Sequence, residues 1–126
     1  MASARVLQIG IDPAVVDFAP WPGQDADGLR TRLDDAGAVL RNAGFDVTVC
    51  LLPDDPAAAE TAVRDICTDG TFDVVEIGSG LRTSHEYTLV FERAINTVAA
   101  LQPGIPFCFN DSPETTFDAV RRSLAR

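Results

Sequence analysis

Four short apolar runs divide the chain at regular intervals: RVLQIGI (5–11), FDVTVCLL (45–52), FDVVEIG (72–78) and IPFCFN (105–110). Each is too short for an ordinary helix and rich in β-branched or aromatic residues, the pattern of a strand covered on both faces. The segments between them have helical spacing. Asp25 to Ala43 sets Leu29, Leu33, Ala36, Leu40 and Ala43 on one stripe and stops at Gly44. Asp55-Pro56, a cap followed by proline at the first helical position, opens a second helix with Ala59, Ala62, Val63 and Ile66 inward and Gly70 as its stop. A third is predicted from Thr83 to Leu101, and Ser112-Pro113 opens a fourth carrying Phe117, Val120 and Leu124. The order βαβαβαβα requires right-handed crossovers and a parallel sheet with helices on both faces. The expected fold is therefore α/β, a three-layer αβα sandwich around a four-stranded parallel sheet. Strand order 2-1-3-4, flavodoxin-like within the wider Rossmann-like group, is favoured because it creates a topological switch between the first and third strands.

At 126 residues the chain has the length of one domain, and residues 1–126 show no linker or low-complexity tract that would divide it. No apolar run approaches the roughly 20 residues of a membrane span. The first eleven residues lack the layout of a secretory signal, so a cytoplasmic protein without membrane association is expected. Cys50, Cys67 and Cys108 are odd in number and widely spaced, as buried small apolar side chains would be. A formal charge of −9 disfavours a nucleic-acid partner. All ten basic residues are arginines, which removes every mechanism that needs a lysine: the phosphate-loop lysine, a Schiff base and the switch lysine of a receiver domain. A single histidine leaves no multi-histidine zinc site, and no metal is expected.

The most informative text is repeated. VLQIG (6–10) in the first strand matches VVEIG (74–78) in the third. If the two strands are parallel neighbours with both glycines at the strand ends, Gln8 lies beside Glu76 and Gly10 beside Gly78, all on one face by the period-two rule. This places a polar pair at the floor of a side-chain-free notch, at the carboxyl edge where open α/β sheets bind ligands. A hydrogen bond from Gln8 would hold Glu76, burial would raise the pKa of its carboxyl, and Glu76→Leu would cost about 1 to 3 kcal/mol by stranding Gln8. The rim is expected to include Gly10, Asp12, Gly78 and Gly80. An architectural role for Glu76, tying a neighbouring backbone to the sheet, is an equal reading.

After the third strand, Gly78-Ser79-Gly80 permits a sharp turn and close approach of a ligand to the backbone. Thr83 and Glu86 have the spacing of a capping box, and amides at that helix start with Arg82 beside them would make an anion cradle. Ser84 and the sole histidine, His85, fall in the same turn, and His85 at the second helical position would tend to be neutral. Asn110, leaving the fourth strand, would face the same mouth, although capping and turn formation alone would explain the run Asn110-Asp111-Ser112. The loop 12–24, with Trp21 between two prolines, has the character of a semi-rigid lid.

Cofactor motifs fit poorly. GSGLRT has Thr83 where a dinucleotide loop has its third glycine, and it follows the third strand instead of the first. The loop after the first strand lacks the Ser/Thr/Gly-rich phosphate loop of flavodoxins, so FMN and other cofactors are not expected. A receiver domain would need paired acids after the first strand and an aspartate where Gly78 stands.

GIDPAVVDF (10–18), EIGSGLRT (76–83), VFERAINTV (90–98) and FCFNDSP (107–113) resemble a group of short single-domain bacterial α/β proteins of flavodoxin-like fold. The likeness runs along nearly the whole chain. It implies the fold and the single domain and brings no activity with it. Three readings of function stand open at this point. The first is binding of a small polar or anionic metabolite at the switch between strands one and three, by Gln8, Gly10, Asp12, Gly78, Ser79, Gly80, Arg82, Thr83, Ser84 and Asn110. The second is a small lyase, isomerase or hydrolase using Glu76 or His85 as acid or base. The third is a homodimeric interaction module, suggested by the apolar breadth of the third helix (Tyr87, Leu89, Val90, Phe91, Ala94, Ile95, Val98, Leu101) and by the sheet edges.

Overall fold

A computed structural model describes residues 3–125. Its sheet has four parallel strands in the order β2-β1-β3-β4: β1 Arg5–Ile11, β2 Asp46–Leu52, β3 Val74–Ile77 and β4 Phe107–Phe109. Five helices flank it: α1 Ala26–Asn42, α2 Pro56–Asp69, α3 Ser79–Thr83, α4 Thr88–Leu101 and α5 Thr116–Leu124. Alternation along β1 decides the layers. Leu7, Ile9 and Ile11 pack with Ala59 and Val63 of α2 and with Val90, Ala94 and Val98 of α4. Val6 points the other way, into a smaller cluster with Leu40 of α1 and Ala119 and Val120 of α5. Gln8 and Gly10 share the Val6 face by the same period. The described residues contain no helix long and apolar enough to cross a membrane.

Local chemistry sets the helix starts where the acidic caps predict them. Asp25 Oδ1 accepts from the Gly28 amide at 2.7 Å and Asp55 Oδ2 from the Ala58 amide at 2.8 Å, each relieving an orphan N–H of the first turn. Beyond α1, Gly44 takes φ 96°, a conformation that disfavours side chains. At α5 the Ser112–Thr115 capping box is present, but it opens a 3-10 turn over Pro113–Thr115 before the α-helix begins. Ala43, expected on the buried stripe, is exposed beyond the last turn.

The third expected helix is divided. Ser84 is extended, with φ −107° and ψ 117°, between α3 and a 3-10 turn over His85–Tyr87 that leads into α4. Leu81 and Val90 explain the break. At about 100° per residue they would lie on opposite faces of one continuous helix, yet both are buried in the same cluster. The Thr83–Glu86 capping box is accordingly absent: the Thr83 hydroxyl donates back to the Ser79 carbonyl at 2.8 Å. Of the apolar breadth expected for an interaction helix, Tyr87, Val90, Ala94 and Val98 are buried, and Phe91, Ile95 and Leu101 pack against the same core. Only Leu89 stands out, 61% exposed, so internal packing of α4 against α2 and the sheet accounts for the pattern.

Gln102, just past α4, joins this layer to the sheet. Its Oε1 accepts from the Phe72 amide at 3.0 Å, and its Nε2 donates to the carbonyls of Gly70 at 2.8 Å and Cys67 at 3.2 Å. Three backbone groups, from the last turn of α2 to the approach to β3, thus depend on one half-buried amide. Gln102→Leu is expected to lower stability by about 1 to 3 kcal/mol, seen as a lower urea midpoint at unchanged slope.

Candidate functional site

β1 and β3 pair in the register Gln8↔Glu76 and Ile9↔Ile77, and the Gly78 amide donates to the Ile9 carbonyl at 2.8 Å. One step further along, the two glycines meet: a Cβ placed on Gly78 would lie 3.6 Å from the Gly10 Cα and 3.4 Å from the Ile9 carbonyl oxygen. The notch expected from the matching strand texts is therefore bare backbone. It opens into a cleft of about 320 Å³ at the carboxyl edge of the sheet. Gly10, Gly78, Ser79, Gly80 and Asn110 form its strand-end side, with Thr83 and Ser84 at the break after α3. Leu29, Arg32 and Leu33 of α1 form a wall, as do Val16, Phe18 and Trp21 of the long loop, Tyr87, and the run Asp111 to Pro113.

Asn110 builds the polar corner. It is 4% exposed, its Oδ1 accepts from the Ser79 amide at 2.8 Å, and its Nδ2 donates to Thr116 Oγ1 at 2.9 Å. The same residue accepts Arg82 on its backbone carbonyl, and the Arg82 guanidinium lies 5.9 Å over the Phe109 ring. Arg82 therefore serves the end of β4 and does not line the cleft. The anion cradle expected at the glycine turn is not assembled, because α3 is only five residues long and the Ser79 amide is already bound.

Asp12, expected on the rim, is also occupied elsewhere. Its carboxylate accepts from the Ala14 amide at 2.9 Å and stands 3.5 Å from Arg30, while its own amide donates to the Leu52 carbonyl at 2.9 Å. It pins the start of the long loop to β2 and α1. The rest of that loop is held by turns: Ala19 N donates to Asp17 Oδ1 at 3.0 Å, Trp21 N to the Phe18 carbonyl at 2.9 Å, and Gln24 N to the Trp21 carbonyl at 3.1 Å. Trp21 is thereby presented to the cleft at 41% exposure. His85 is exposed and lies outside the lining.

Gln8 and Glu76 lie on the notch face, one strand period below the glycines, and are 4% and 1% exposed. The hydrogen bond expected between them is not formed: Oε1 of each is buried without a partner. Gln8 Oε1 reaches toward α1 instead, 3.6 Å from where a Gly37 Cβ would stand, an ordinary contact distance. The pair is sealed beneath the cleft and does not form its lining. Burial pushes the Glu76 carboxyl up to about 8, with the Asn110 backbone amide opposing part of that rise. At neutral pH the side chain is mainly a neutral acid.

The cysteines contribute no nucleophile. All three are buried free thiols, and burial pushes Cys50 up to about 11 and Cys108 up to about 12, the latter helped by Glu76. Among the described residues no three His, Cys, Asp or Glu side chains could hold a metal ion.

Sequence reasoning missed the wall that α1 contributes. Leu29 and Leu33 were legible as core, and their place at the upper end of the helical stripe is what leaves them half-buried beside the cleft. Arg32 sits between them and is the only cationic side chain in the lining. The chain matches no family model, and no curated protein matches it.

Proposed function

We propose that this protein binds a small molecule in the cleft at the β1/β3 switch, between the bare strand ends and the wall formed by α1 and the 12–24 loop. The observation that carries this reading is the Gly10–Gly78 notch, where two adjacent strands end in bare backbone below a cleft of about 320 Å³. A ligand seated there meets main chain, the Ser79, Thr83, Ser84 and Ser112 hydroxyls, and an apolar wall that includes Trp21, Leu29 and Leu33. Acid or base catalysis gains no support from this geometry, since Glu76 is sealed below the notch and His85 lies outside it. The homodimer suggested by the third helix loses that argument, because the apolar residues of α4 are used internally.

Gly10→Val tests the site. A Cβ at this position would have only an ordinary 3.7 Å contact with Leu51, so the backbone accepts it, and the methyl groups of valine would take up space that is bare backbone in the wild type. Native mass spectrometry of freshly purified protein is expected to show a small molecule retained by the wild type and lost from Gly10→Val, with unchanged circular dichroism. Equal retention by the two proteins would move the binding site away from the switch.

A further inference from the structure

The cleft's single guanidinium already holds a carboxylate, and that carboxylate belongs to the 3-10 turn before α5. Arg32 of α1 donates through Nε to Glu114 Oε2 at 2.9 Å and through Nη2 to Oε1 at 2.6 Å, a two-pronged pairing between residues 82 positions apart. Glu114 stands in the 3-10 turn Pro113–Thr115, next to the cleft-lining Ser112 and Pro113. The two side chains are 40% and 58% exposed, so the pair is in contact with water and its carboxylate can exchange with one from solution, although the two-pronged geometry and the Ser112 hydroxyl both favour Glu114. Arg82, beside the glycine turn, is committed to the Asn110 carbonyl.

From this geometry we infer that the cleft takes a small carboxylate with an aromatic or branched apolar body, and that the ligand's carboxylate replaces Glu114 on Arg32. The inference rests on the binding cleft proposed above and names the class of molecule it accepts. A planar fork that pairs with Glu114 through two parallel bonds presents the same two donors to any other carboxylate. Glu114 occupies the fork when the cleft is empty and swings to solvent when the ligand arrives. An apolar wall of Trp21, Leu29, Leu33 and Tyr87 then covers the body of the ligand. No bond is made or broken; the exchange is of one ion pair for another.

The test uses the full chain with 3-phenylpropionate and its uncharged analogue 3-phenylpropionamide as probes. Trp21, the only tryptophan of the chain, reports occupancy by fluorescence, and two-dimensional NMR locates the perturbed residues. Wild type is expected to prefer the carboxylate over the amide. Glu114→Gln removes the competing carboxylate and should tighten the carboxylate about threefold while leaving the amide unchanged. Arg32→Met should weaken the carboxylate about tenfold, to the affinity of the amide. Equal binding of both probes in all three proteins would overturn the carboxylate assignment and leave the cleft reading intact. If neither probe perturbs Trp21 or residues of the Gly78–Ser84 segment, both are overturned. Circular dichroism of each variant separates loss of binding from loss of fold.

Discussion

Raising the pH from about 4.5 to about 8 is expected to destabilise this protein through one side chain, Glu76. Buried at the floor below the notch, its carboxyl keeps its proton up to about pH 8, whereas in the unfolded chain it ionises near its ordinary value of 4.5. Within that window the native state binds more protons than the unfolded state, so stability falls as pH rises, by up to about 1.4 kcal/mol per pH unit. Above the native pKa the loss is complete and the curve is flat. Glu114 acts in a separate range: its pairing with Arg32 holds its carboxyl below the usual value, so its contribution disappears only as the solution becomes more acidic. Urea denaturation of wild type and Glu76→Gln at pH 5, 6, 7 and 8 isolates the effect. The variant should lack the Glu76 slope, and parallel curves for the two proteins would mean that the carboxyl is not held neutral in the fold. Glu76→Leu, which a Gln8–Glu76 bond would have made costly, is expected to match or exceed wild-type stability at pH 8 and above. Its Oε1 has no partner to lose and a buried charge disappears with it, which offsets the loss of the acceptor for the Asn110 amide.

Asn110→Ala is expected to be the most damaging single substitution at the strand ends, costing about 2 to 4 kcal/mol. Its side chain ends the Ser79 amide and meets Thr116 Oγ1 in the interior, and alanine would leave the Ser79 N–H without its acceptor. Thr116 would be less affected, because its hydroxyl still donates to the Pro113 carbonyl at 2.8 Å. The loss should therefore concentrate on the turn at Gly78–Gly80, and hydrogen exchange at Ser79 should accelerate more than exchange at Thr116. Asn110→Asp keeps the acceptor for Ser79 and is expected to retain part of the lost stability. Equal destabilisation by the two variants would shift the important bond to Thr116.

The sheet was readable because its determinants are local and repeated. Each strand is a short run dominated by apolar residues, Asp25 and Asp55 cap their helices from the positions the text suggests, and the VLQIG and VVEIG match carries the register Gln8↔Glu76. The pairing order followed from placing a topological switch between those two strands, and the structure has it. What stayed hidden depends on how elements cross. Arg82 drew attention because it adjoins the glycine turn, yet its place on α3 turns it toward Phe109 and Asn110. Arg32 belongs to a helix that begins fifteen residues after β1 ends, and only the return of α1 over the sheet brings it to the cleft. The break at Ser84 contains no glycine or proline to announce it. Its only sequence signature is the incompatible phase of Leu81 and Val90, two residues that one core must bury together.

The bare backbone at Gly10 and Gly78 divides this site into a fixed part and a variable part. Main-chain atoms at the base of the cleft are held by the β1–β3 ladder, whose geometry is common to any sequence that keeps the two glycines. The side chains that line the rest of the cleft, and that would distinguish one ligand from another under the proposed function, come instead from α1, the 12–24 loop and the 3-10 turn before α5, none of which contributes a strand. If the cleft binds a ligand as proposed, selectivity could be rewritten by substitutions at positions such as Trp21, Leu29 and Leu33 while the sheet is left untouched, and the fold would then serve as a scaffold for directed changes of ligand preference.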